Sequence, residues 1–376
     1  MFIFCKTNVV AIADDGKTGD GINDAIDNVL NGLDYNDLEN LFDQDNLLEG
    51  KSFIYTLKEI IYCKDGLSVE ALKEKIITGL KNEISDLAPT FACILSIILF
   101  LALINSLKAQ TLNQNLIMVC LFIGNAVIIG IVLTKFIEYL NDSKQTIYSM
   151  SRYIELSFPL LITLMSAFGA QARAGVFKPL SSLLCNGVTV ISNTVLIPII
   201  LLLLLFNGIN SFTDNVKLNK MCDLLKSVFK WIIGVLGVIF CFFITAKGIT
   251  ASIYDTVSIK ALKYTVGNIL PLVNSMVNGG VDVVIASCVL IKNGLGVLTM
   301  IGIVFLAIIP IIKTLCFSFV LKLLCGVTES IADAKTVKFI SGASDSVSYL
   351  CSVQVVVTIV YLVTIMLATC TLGVGF

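Results

Sequence analysis

From Pro89 onward the chain is a succession of long apolar runs separated by short polar intervals. Phe91–Leu107, Leu116–Ile137, Tyr153–Ala170, Leu183–Phe206, Val228–Thr245 and Ser352–Leu372 each approach the length that crosses a membrane. A bilayer core of about 30 Å needs roughly 20 helical residues. One or two further spans fall between Val281 and Val327, so the pattern predicts seven or eight in all.

The pattern changes character between Gly248 and Val327. Ile249, Ile253 and Val257, then Leu262, Val266 and Leu270, recur at helical spacing. Ser252, Asp255, Ser258, Lys260 and Lys263 share those turns, which suits a helix with one wet or partner-facing side. Pro271, the pair Gly279-Gly280 and an apolar run from Val281 to Ile291 follow, flanked by Asp282 and Lys292. That run is too short to span and predicts a re-entrant or bundle-buried segment. A long apolar stretch to Val327 then contains Pro310, Lys313 and Lys322.

Before Pro89 the signal is weaker. Residues 14–88 hold three short amphipathic sets: Leu38, Leu41 and Phe42; Phe53, Leu57, Ile60 and Ile61; Leu72, Ile76, Ile77 and Leu80. They predict a small helical extracytoplasmic module, too poor in apolar residues for a large core of its own. Ser68, Glu70 and Glu74 suit a helix start. Residues 1–13, with Ala11 and Ala13, read as a signal-peptide-like segment, although Lys6, Thr7 and Asn8 interrupt its apolar part.

Composition agrees with a membrane body. The 376 residues are 56% hydrophobic and 14% charged, where a soluble domain carries about 25% charged residues. The formal net charge of −1 hides an asymmetry. Residues 14–88 hold 17 acidic and 7 basic side chains, and residues 89–376 hold 10 acidic and 18 basic. The lysines are scattered, so no nucleic-acid surface is expected. The acidic residues of the module suit a solvated face, with partner docking as the second possibility.

Candidate chemistry is sparse. The chain has no histidine, which removes the commonest metal ligand and general base. Its 12 cysteines form no CxxC pair and mostly lie in apolar runs, where cysteine packs as a small hydrophobe. Gly16-Lys17-Thr18 lacks the spacing and the preceding strand of a phosphate-binding loop. No hydrolase constellation is present, and neither cofactor nor metal is expected. The charges weighed as functional within or beside spans are Asp282, Lys292 and Lys313, with Glu155 near a span end. Asp282 and Lys292 either line a polar cavity or sit at the interface; Lys313, after Pro310, faces a kink or a partner helix. Glycines 124, 130, 234, 237, 294, 296 and 302 are read as packing positions. If the first segment is cleaved, 138–152 and 214–226 become outside loops, and the second of these fits the positive-inside rule poorly.

The residues Asp255 to Val277 (DTVSIKALKYTVGNILPLVNSMV) and Cys288 to Met300 (CVLIKNGLGVLTM) make a more specific point. Here the chain resembles the stage III sporulation protein AE family of endospore-forming bacteria. The match rests on Asp255, Lys260, Lys263, Gly267, Asn268, Pro271, Lys292, Asn293 and Gly296, and extends over roughly residues 80–376. The resemblance implies a non-enzymatic component of a secretion-like channel complex, in the mother-cell membrane around the forespore. Its implied partners are the other stage III A sporulation proteins, including an ATPase and ring-forming components, and stage II sporulation protein Q. Membrane lipid surrounds it, and a homo-oligomer is compatible with it. Two other readings stay open: a self-contained secondary transporter with a site at Asp282 and Lys292, and a pore-less scaffold.

Overall fold

The structure is a computed structural model that describes residues 24–30, 32–44, 52–62, 69–106, 114–167, 171–212, 218–269 and 274–370. Every regular element among them is helical. Three short helices come first: α1 (24–30), α2 (Asn36–Gln44) and α3 (Phe53–Ile61). Long ones follow: α4 (Val69–Ser106), α5 (Gln114–Ala167), α6 (Gln171–Ile191), α7 (Ile197–Phe212), α8 (Asn219–Ile269), α9 (Asn274–Thr328) and α10 (Ala334–Cys370). A π-helical turn, Ser192–Leu196, joins α6 to α7, with right-handed helical dihedrals on either side. Among the described residues, six helices or helix pairs are long and apolar enough to cross a membrane: Lys73–Ser106, Ile117–Leu164, Ser181–Ser211, Asn219–Thr245, Ser287–Thr328 and Ala334–Thr369.

Several intervals expected as loops are helical. Residues 138–152 form the middle of α5, a single helix of 54 residues. They do so because Leu140, Ile147, Met150 and Ile154 keep one face buried through the polar interval. The re-entrant segment expected at Val281–Ile291 is likewise absent. The backbone there runs unbroken inside the 55-residue α9, past Gly279, Gly280, Gly294 and Gly296. The last helix begins at Ala334 rather than near Ser352. Prolines 89, 159, 179 and 310 all sit inside helices. At two of them a threonine one turn later bonds the proline carbonyl, Thr163 to Pro159 at 2.9 Å and Thr314 to Pro310 at 3.0 Å.

The α9–α10 hairpin is the centre of the bundle. α9 also packs on α3, α4 and α5, and α10 packs on α5 and α7. Half of the most apolar window of α10 is buried and 44% of that of α9, against 17% for α8, which lies at the periphery. Lipid tails are as apolar as leucine, so burial alone does not hold such helices together; close packing and interhelical hydrogen bonds must. Glycine supplies the first. A Cβ at Gly296 would overlap the Cγ2 of Thr369 on α10, and one at Gly294 would lie 2.8 Å from Ile61 on α3.

The short helices dock on this centre. Phe42 and Tyr153 of α5 meet edge to face at 4.9 Å, and the Tyr153 hydroxyl donates to the Leu41 carbonyl at 3.2 Å. Both rings lie over Gly302 of α9. Glu39 of α2 accepts from the Phe53 backbone N–H at 3.1 Å, placing a carboxylate at the positive end of α3. Ile26, Leu38, Phe42, Phe53, Leu57 and Ile61 therefore share one apolar core with the long helices.

Candidate functional site

Many of the buried polar side chains form a seam along α5, α9 and α10. At one end, Lys292 of α9 is fully buried and its ammonium donates to the Thr369 carbonyl at 2.7 Å. Thr369 is next to last in α10, and the last four carbonyls of a helix lack intrahelical partners. Lys292 thus satisfies a helix end and sets a positive charge against its negative pole. Gly296, one turn later on the same face, is what lets α10 come this close. Asn293, by contrast, points outward.

Two turns further on, Ser157 of α5 and Thr299 of α9 are bonded at 2.9 Å. Farther along α9, Lys313 donates to Asp142 of α5 at 2.8 Å, both side chains about a third exposed. Next to this pair the Tyr139 hydroxyl donates to the buried carboxylate of Glu83 on α4. Thr314 donates to Gln354 of α10 at 2.9 Å, and Gln354 in turn donates to Ser143 of α5. Ser318 then meets Ser348 at 2.7 Å and Ser344 at 3.4 Å. Farthest from Lys292, Thr336 of α10 donates to Asn125 of α5 at 2.6 Å. The seam ties three helices at successive levels.

The structure does not gather the sequence candidates into one pocket. Lys292 and Lys313 lie 21 residues apart on one helix, about 31 Å at 1.5 Å per residue. Asp282 belongs to the first turns of α9, and Asp255, Lys260, Lys263, Gly267 and Asn268 to the second half of α8; their side chains lie outside the described residues. Pro271 also lies outside them. Among the described residues, no group of three or more Cys, Asp or Glu is placed to hold a metal ion.

Sequence reasoning missed Glu83, Tyr139, Asp142, Gln354 and the serines of α10. One signal was present: Ser344, Ser348 and Ser352 recur every fourth residue before the last apolar run, a polar face on a helix. The glycines divide. Positions 124, 294, 296 and 302 are in close contact, whereas a Cβ at 130, 234 or 237 would meet open space.

An all-α bundle with six long apolar helices, stitched inside by buried polar groups, defines a polytopic helical membrane protein. The family model of stage III sporulation protein AE matches residues 52–372. The chain belongs to that family, and a role in sporulation follows. It is 22% identical over 306 residues to the stage III sporulation protein AE of Bacillus subtilis (strain 168), covering 81% of this chain and 77% of that one. No solved structure matches the chain.

Proposed function

We propose that this chain is a non-enzymatic, multi-span component of a secretion-like channel complex linking mother cell and forespore, needed for late forespore development. Its place is the mother-cell membrane around the forespore. Its partners are the other stage III A sporulation proteins, with their ATPase and ring-forming members, and stage II sporulation protein Q. The observation that carries this is the family match over residues 52–372, which takes in all of the long helices.

Two structural features support it. First, α8 continues from the end of its apolar span at Thr245 to Ile269, about 36 Å of further helix. That length can reach past lipid to partner proteins, and it carries Asp255, Lys260, Lys263, Gly267 and Asn268. Second, α9 is unbroken where a transporter of the discontinuous-helix type would unwind, and Lys292 is engaged by the end of α10.

The test is a mild-detergent pull-down of the tagged chain from sporulating cells, read by mass spectrometry. Recovery of other stage III A proteins and stage II protein Q is expected; recovery of the chain alone counts against the complex. Deletion of the gene is expected to stop sporulation after engulfment, and a normal yield of heat-resistant spores would contradict the role.

A further inference from the structure

Helices α5 and α10 run parallel and are pinned in register. Asn125 meets Thr336, Ser143 meets Gln354, and the Thr358 hydroxyl points at the Met150 sulfur at 3.7 Å. α6 joins the same level, since Thr189 contacts both Ser151 and Tyr361. Exposure on the two flanks of the bundle can therefore be compared at one height.

The flanks differ in chemistry. α5 turns Asn141, Gln145, Tyr148, Arg152 and Glu155 outward. Their spacing of four, three, four and three residues puts them on one helical face. The face extends over 15 residues, about 21 Å along the axis against the roughly 30 Å of a bilayer core. At the same height α10 turns out Val355, Ile359 and Met366 after Ser352, and α6 turns out Leu183 and Val190 beside Ser182 and Asn186, which bond each other. Tyr148 of α5 is 65% exposed and Ile359 of α10 is 49% exposed.

Neither phase alone suits this cross-section. Water on both flanks would leave Leu183, Val190, Val355, Ile359 and Met366, all large and outward-facing, uncovered. Acyl chains on both flanks would surround an arginine and a glutamate, which in membranes face a bundle interior or a water-filled cavity. We propose that the α5 face from Asn141 to Glu155 borders an aqueous cleft, open to water and hydrated solutes, at the depth where the α6–α10 flank borders acyl chains. The face deepens the channel reading by naming which side of this chain meets water. It does not depend on partner proteins, so it can fail while the pull-down succeeds, and the reverse.

The single tryptophan of the chain, Trp231, makes a direct test possible. In a Trp231→Phe background, tryptophan is introduced at Tyr148 in one variant and at Ile359 in another. The full-length protein is reconstituted in phosphatidylethanolamine–phosphatidylglycerol vesicles, with and without mid-chain brominated lipid. Fluorescence quenching by bromine is compared with quenching by aqueous acrylamide. The expected result is opposite behaviour: the bromine-to-acrylamide quenching ratio at 359 exceeds that at 148 at least fivefold. Bromine quenching at both positions overturns the cleft. Acrylamide quenching at both overturns the shared membrane depth, and a reversed order overturns both. Gln145→Trp and Val190→Trp repeat the comparison at neighbouring positions should either first variant fail to fold.

Discussion

Helices α8 and α9 have almost equal lengths, 51 and 55 residues, yet glycines 234 and 237 of the first and 294, 296 and 302 of the second meet opposite surroundings, Gly326 near the end of α9 again facing open space. On α9, Gly294 receives Ile61, Gly296 receives Thr369, and Gly302 lies under Phe42 and Tyr153. On α8, Gly234 and Gly237 face open space, beside outward-facing Trp231, Val238 and Phe242. Lys292 and Lys313 of α9 reach across to α10 and α5 at 2.7 and 2.8 Å, while Lys226 of α8 makes a longer pair with Asp345 of α10 at 3.4 Å. Residue type does not distinguish central from peripheral helices in a membrane bundle; what stands opposite each residue does.

The largest effect on the bundle centre is expected at the aromatic contact. Tyr153→Ala removes a fully buried ring that holds α2 against α5 and α9. Such truncations cost about 3–5 kcal/mol in a packed core, so a large fall in detergent melting temperature is expected, with loosening of the short helices seen as faster hydrogen exchange across 36–61. Wild-type exchange there would detach the module from the bundle centre.

A smaller effect is expected from Lys292→Met, which keeps the chain volume and deletes the charged donor to α10. A hydrogen bond to a charged group contributes about 1.5–3 kcal/mol. The melting temperature should fall accordingly, and proteolysis should begin at the C-terminal end of α10. Unchanged resistance there would show that the helix end is held by other groups.

Smaller again is the coupling of Asp142 with Lys313. A double-mutant cycle with Asp142→Asn and Lys313→Gln should return about 1 kcal/mol, within the range for contacting polar residues. Additivity would reduce the pair to a surface contact. At the bottom of the series, Trp231→Phe on α8 should change stability by no more than about 0.5 kcal/mol, as exposed positions do.

Much of the architecture was legible. The all-α class, the membrane body and the family each followed from apolar runs and from the motif residues around Asp255–Val277 and Cys288–Met300. The continuity of α5 was not, because the polar residues at 138–152 interrupt the apolar run. Yet Phe136, Leu140, Ser143, Ile147, Met150 and Ile154 continue at spacings of four and three and are all buried. That stripe was in the sequence; what hid it was that Asp142, Ser143 and Ser151 find partners on other helices. The capping role of Lys292 lay beyond sequence altogether, since its acceptor is a backbone carbonyl 77 residues away. The docking of α2 and α3 on Gly294 and Gly302 was equally hidden: small residues mark that something can approach, not what does.

The α9–α10 hairpin is the structural centre of the bundle, and a paired substitution tests this most directly. Gly296→Val and Gly237→Val add the same atoms to two long helices of the same chain. With thermal unfolding followed in one detergent, Gly296→Val should fail to give a monodisperse protein or lose the upper end of the roughly 1–3 kcal/mol typical of overpacking. Gly237→Val should match the parent within about 0.5 kcal/mol. Equal tolerance at the two positions, or greater damage from Gly237→Val, would contradict the placement of α9 at the core and α8 at the edge.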